Sequence, residues 1–155
     1  MTEQNTREPR ISKPVMVLSF ISIAMVFSTM VVGRYLSSTV DQQGLACPSW
    51  PLCPNGFAAP DESYLTEYVH RVLAVIASGL VYATAIAVPS GVKRAKRASI
   101  IAAIVVSAQI VIGYLTVTTQ LYPPVVATHL STGITVIAFS LLTFLWIGML
   151  RKYWD

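Results

Sequence analysis

Glu67, His70 and Arg71 open an apolar segment of the chain. On an α-helix His70 is i+3 and Arg71 is i+4 from Glu67, so the three share one face. They offer a carboxylate that can accept a proton, an imidazole that can bind a metal, and a fixed cation. His129 opens the last apolar segment, and the chain holds 2 histidines in all. Ionisable groups inside apolar segments are costly and default to a functional reading. The remaining candidates are Arg34, at the end of the first apolar segment, and the cysteines Cys47 and Cys53, separated by Pro-Ser-Trp-Pro-Leu.

The elements that must position these groups follow from composition. The 155 residues are 54% hydrophobic and 12% charged, against about 25% charged in soluble domains. This is the signature of an integral membrane protein, all α-helical, with one compact domain. The net charge of +4 does not indicate nucleic-acid binding, because the lysines and arginines sit mostly in short stretches between apolar segments, where they encode topology. The uncharged run from Val15 to Val32 reaches about 27 Å as a helix, close to the ~30 Å hydrocarbon core. A cleaved signal peptide would carry a shorter apolar region. The pattern predicts a four-helix transmembrane bundle over 14–155, after a cytoplasmic tail at 1–13. Its helices are expected at about 14–33, 64–88, 98–119 and 125–150, with an outer loop at 34–63.

Arg7, Arg10 and Lys13 precede the first segment, Lys93, Arg94, Lys96 and Arg97 lie between the second and third, and Arg151 and Lys152 follow the fourth. The 34–63 loop has only Arg34 before the helix start at Arg71. Positive charge marks the cytoplasmic side, which puts both termini inside, the cysteine loop outside, and the second and fourth helices parallel. His70 and His129 then lie about 7–9 Å below the outer ends of their helices. Cofactor sites in bundles form in the core from facing helices. Two imidazoles facing each other at one depth suit the iron of a six-coordinate haem in the outer half of the core. Zinc would call for further Cys, Asp or His ligands. The alternative is a plain interhelical hydrogen bond from each histidine. The segments Gly33-Arg34-Tyr35-Leu36 and Gly113-Tyr114-Leu115-Thr116 each precede a helix with a histidine near its start. They suggest a duplicated hairpin, related about an axis along the membrane normal.

Each other candidate has two readings. Glu67 is a proton acceptor at the haem edge, or the partner of Arg71 at a helix start where the dipole favours a carboxylate. Arg34 and Arg71, the cations of the outer side, suit haem propionates, since arginine binds carboxylates bidentately; Arg34 equally suits an interfacial anchor. An outer loop meets an oxidising compartment, so Cys47 and Cys53 are expected to form a disulfide, with two free thiols as the alternative. Gln109, Thr116, Thr118 and Thr119 read as interhelical glue.

Gly44-Leu45-Ala46-Cys47-Pro48-Ser49-Trp50-Pro51-Leu52-Cys53 resembles the cysteine-bearing outer loop of the haem A synthase family, and Glu67-Tyr68-Val69-His70-Arg71 resembles its Glu-x-x-His-Arg helix start. Gln109, Gly113, Leu115-Thr116-Val117, Pro123-Pro124 and Thr128-His129-Leu130 are similar to its next helix pair. The resemblance runs from about Gly33 to the end of the fourth helix. It implies oxidation of the C8 methyl of haem O to a formyl group, by successive hydroxylation and loss of water. It implies Glu67 as the essential glutamate, His70 and His129 as haem ligands, and a Cys47–Cys53 disulfide. Typical members have eight transmembrane helices in two similar halves, so this chain matches half of one. Either a homo-oligomer supplies both sites, or the chain is a haem-binding relative with reduced or different activity. A membrane b-type cytochrome that only transfers electrons, and a haem carrier for oxidase assembly, remain as alternatives. The cofactor implied is a haem of b, O or A type. The partners implied are haem O, membrane lipid, a second copy, and haem O synthase or terminal oxidase assembly proteins. The setting implied is a prokaryotic plasma membrane.

Overall fold

A computed structural model of the chain describes residues 11–43 and 62–152, together with Cys47, residues 49–51, Cys53, Gly56 and Ala58 of the intervening loop. Most of the expected tail at 1–13, much of the loop, and Trp154 lie outside the described residues.

The described elements are helical: α1 (Lys13–Gln43), a short 3-10 turn (Glu62–Tyr64), α2 (Leu65–Ala87), α3 (Lys93–Thr118) and α4 (Pro123–Lys152). Each long helix carries a stretch of 26 or 27 residues apolar enough to cross a membrane, about 39 Å at 1.5 Å per residue. Their outward faces are greasy: Phe20, Phe27, Val75, Ile86, Ile104 and Ile134 are exposed, as side chains that meet lipid must be.

The helix ends differ from expectation for definable reasons. α1 continues past residue 33 because Gly33 packs rather than terminates; a histidine ring occupies the space its side chain would fill. On this extension Ser37 and Ser38 bond back to the carbonyls of Arg34 and Tyr35. The basic stretch Lys93–Arg97, expected to lie between the second and third helices, forms the first turns of α3 instead. Lys96 from there donates to the carbonyl of Ala85 at the end of α2, satisfying an acceptor that the helix terminus leaves free. α4 starts at Pro123 because the first helical positions need no N–H donor. Between α3 and α4, Gln120 and Leu121 take positive φ of 49 and 60°, and Leu121 N–H reaches back to Thr116 O, the geometry that closes a helix C-terminus.

The helices form a ring in which α1 pairs with α2 and α3 with α4; the two hairpins then meet through α1 against α4 and α2 against α3. α2 and α4 face each other diagonally. Two apolar clusters fill the core. One is built on Val26, Ala77, Val81, Ala102, Val106 and Val136. The other, near the basic end, is built on Val88, Val92, Ala95 and Ile147. Val26 and Val106 are equivalent positions of α1 and α3, at the offset that relates Gly33 to Gly113. Ala77 and Val136, and Val88 and Ile147, share the offset that relates His70 to His129. These three pairs place equivalent positions of the two hairpins together in the core.

Candidate site at the histidine pair

α2 brings His70 and α4 brings His129 into the loop end of the bundle from opposite corners. Each ring rests on a glycine of its hairpin partner. A Cβ on Gly33 would lie 2.6 Å from Cε1 of His70, and one on Gly113 would lie 3.3 Å from Cε1 of His129. A side chain at Gly33 would push the imidazole out of its place, and one at Gly113 would press against its ring more lightly, so both glycines are cradles, the first the tighter.

The surroundings of the two rings differ. Nδ1 of His70 lies 3.1 Å from the carbonyl of Thr29. A carbonyl only accepts, so Nδ1 carries the proton and Nε2 keeps its lone pair. That is how a second partner fixes the tautomer of a metal-binding histidine. Nδ1 of His129 is buried and has no protein partner. The backbone of His129 is held instead: Gln109 donates to its carbonyl at 2.8 Å and accepts from Thr132 Oγ1. Gly133 leaves the room that the Gln109 amide uses. Thr29 and Gln109 are equivalent in the repeat, so one helix position anchors the histidine in both hairpins, by its carbonyl in one and its side chain in the other.

Glu67 and Arg71 form a knot beside His70. One Glu67 oxygen accepts from Arg71 Nη2, and the other accepts from the backbone N–H of Cys47. Glu67 is only 6% exposed, and a carboxylate buried to that extent needs such partners. Nη1 of Arg71 donates to the carbonyls of Ser49, at 2.6 Å, and Pro51, at 3.1 Å. Cys47 and Cys53 are joined by a disulfide, Cα–Cα 5.3 Å, and both are buried. Trp50 of the same loop meets the ring of Tyr114 on α3 edge-on, with centroids 5.3 Å apart. The loop is thus fastened to α2 and to α3, across the mouth of the bundle.

The structure therefore brings His70, His129, Glu67, Arg71 and the disulfide to one end of the molecule. Arg34, next to Gly33 on α1, is exposed, and its Nη1 donates to Ser37 Oγ at 3.0 Å. In the repeat, Glu67 and Arg71 correspond to Val126 and Leu130, so only one hairpin carries charge beside its histidine. Sequence reasoning missed the cradling glycines and the Thr29 carbonyl. The signal was present: both repeat segments begin with glycine.

These residues fit a haem in the terms the protein itself offers. Two imidazoles from diagonal helices share a core level, one already presents Nε2, and the other has a buried nitrogen with no protein partner. Among the described residues no three of His, Cys, Asp and Glu gather as a metal-ion site would need.

A family model described as cytochrome oxidase assembly protein matches residues 57–153. No curated protein matches the chain, and no solved structure does.

Proposed function

This chain belongs to the family of cytochrome oxidase assembly proteins (COX15-CtaA), and from that premise we propose that it oxidises the C8 methyl of haem O to a formyl group. The observation that carries the reading is the pair of imidazoles, one from each hairpin, each lodged against a glycine of the neighbouring helix. In this reading His70 and His129 would hold the haem through its iron, and the Thr29 carbonyl keeps His70 in the tautomer that leaves Nε2 free to bind it. Bound haem supplies the redox-active iron; the electron acceptor lies outside the chain. Glu67 accepts a proton as the methyl is oxidised, the kind of contribution a positioned carboxylate makes. Arg71 aims that carboxylate and is the cation at the rim of the site. Arg34 is assigned to the membrane interface.

We further assign the chain to a prokaryotic plasma membrane, with both termini cytoplasmic and the disulfide loop outside. The domain comprises residues 14–155 and follows a tail at 1–13. A homo-oligomer supplies the second haem site, and haem O synthase or terminal oxidase assembly proteins are its partners. The test is product analysis. Haem extracted from the purified protein, after expression with a supply of haem O, should contain hydroxylated and formyl forms on reverse-phase chromatography.

One observation favours a second reading. Both oxygens of Glu67 are already engaged, by Arg71 and by Cys47 N–H, which suits a structural carboxylate. The protein would then be a membrane b-type cytochrome or a haem carrier. Unmodified haem as the sole extract would favour it over the first.

A further inference from the structure

About three turns along α4 from His129, beyond the apolar cluster, all four helices turn hydroxyls toward one point. A cavity of about 10 Å³ there is lined by Ser19 and Ser22 of α1, Thr84 of α2, Ser99 of α3, and Ser140 and Thr143 of α4, with Val81 and Ala102. All six hydroxyl residues are buried, none more than 6% exposed. Thr84, Ser99 and Thr143 bond back to carbonyls of their own helices. Ser19, Ser22 and Ser140 make no bond to another protein group among the described residues, and their side chains border the cavity. Polar groups so deep in an apolar span are costly unless a partner satisfies them.

We propose that this cavity is a binding site for a single ordered water molecule, which bridges the two hairpins. Its size matches, since about 10–15 Å³ on this measure holds one water, and a buried water needs two to four polar partners. Donors and acceptors come from both hairpins, so the water ties α1 and α2 to α3 and α4 at one level. A cation is the poorer occupant. No carboxylate lines the cavity, and the nearby charge is the ammonium of Lys96, held at the Ala85 carbonyl. The site is no proton path to the histidines either, because Val26, Val106 and Val136 form an apolar layer in between. It lies on the pseudo-two-fold of the bundle: Ser19 corresponds to Ser99 and Thr84 to Thr143 at the offsets of Gly33 to Gly113 and His70 to His129.

The test uses the full chain with its haem in lipid bilayers and water-edited solid-state NMR. Magnetisation from water should reach Thr84 and Thr143 well before it reaches Val106 and Val136. Ser22→Val, which fills the cavity, should abolish that transfer and leave the haem spectrum unchanged. Ser140→Ala, which removes a partner without adding bulk, should weaken it if the valine variant does not fold. Threonines as dry as the valines in the wild type would overturn the proposal, as would transfer that survives Ser22→Val. Signals that shift when sodium replaces potassium would put a cation in the site and overturn it as well.

Discussion

Replacing Gly33 with alanine should damage the histidine site, while the same change at Gly113 should not. The added Cβ at Gly33 would sit 2.6 Å from Cε1 and 3.0 Å from Nδ1 of His70. Real Cβ contacts are not that short, and the neighbour is a ring pinned by its bond to Thr29, so the imidazole must swing away. Overpacking of this kind costs about 1–3 kcal/mol, and the lost hydrogen bond adds about 1 kcal/mol. Alanine is the better helix former and returns about 0.5–1 kcal/mol. The balance is a loss of about 1–3 kcal/mol, concentrated on one ligand. At Gly113 the new Cβ would lie 3.3 Å from Cε1 of His129, a shift of a few tenths of an ångström relieves it, and the helix-propensity gain cancels the rest. The assay is haem content per polypeptide, the reduced-minus-oxidised spectrum, and the temperature at which haem absorbance is lost. Gly33→Ala should lower all three and Gly113→Ala should leave them near wild type. A Gly33 variant that keeps its spectrum and its thermal midpoint would refute the cradle, and so would the reverse ranking of the two.

Four further expectations bear on the site. His70→Ala and His129→Met should each abolish or alter the reduced-minus-oxidised spectrum, and unchanged spectra in both would remove the ligand assignment. Glu67→Gln should keep the spectrum yet fail to convert haem O, with a loss within the roughly 10²–10⁴-fold range of a general base; loss of haem instead would make the carboxylate structural. Alkylation of the intact protein without reductant should label neither Cys47 nor Cys53 in a mass spectrum, and Cys47→Ser should make the loop more sensitive to protease while the helices stay folded; ready labelling of both thiols contradicts the bridge. Arg34→Ala should leave haem content unchanged, since its side chain is exposed and bonded to Ser37, and a clear loss would place it in the site after all.

The four spans were legible because lipid demands long uncharged runs, a strong signal even in one sequence. The ends were less so. Gly33 reads locally as a helix stop, and only the ring of a residue in another helix shows why it is not. Lys93–Arg97 reads as a loop because its charges dominate, yet nothing in it breaks a helix. The placement of both histidines near the loop end of the bundle could be read from depth alone, since depth along a helix is arithmetic. The use of both Glu67 oxygens could not, because one partner is a backbone N–H twenty residues away. Hydroxyls scattered through four segments gave no hint of a shared point until the helices were set side by side.

The unequal halves of the repeat have a consequence for any flat guest held between the histidines. A two-fold cradle offers such a guest two poses, related by a half-turn, and gives no preference between them. Here one wall carries Glu67 and Arg71, and the matching wall carries Val126 and Leu130. A guest with a charged edge and a greasy edge therefore meets like with like in one pose and mismatches in the other. A difference of about 1.4 kcal/mol already populates one pose tenfold over its mirror. If the two histidines hold the centre of such a guest, the broken symmetry of the rim sets which of its edges is turned toward Glu67.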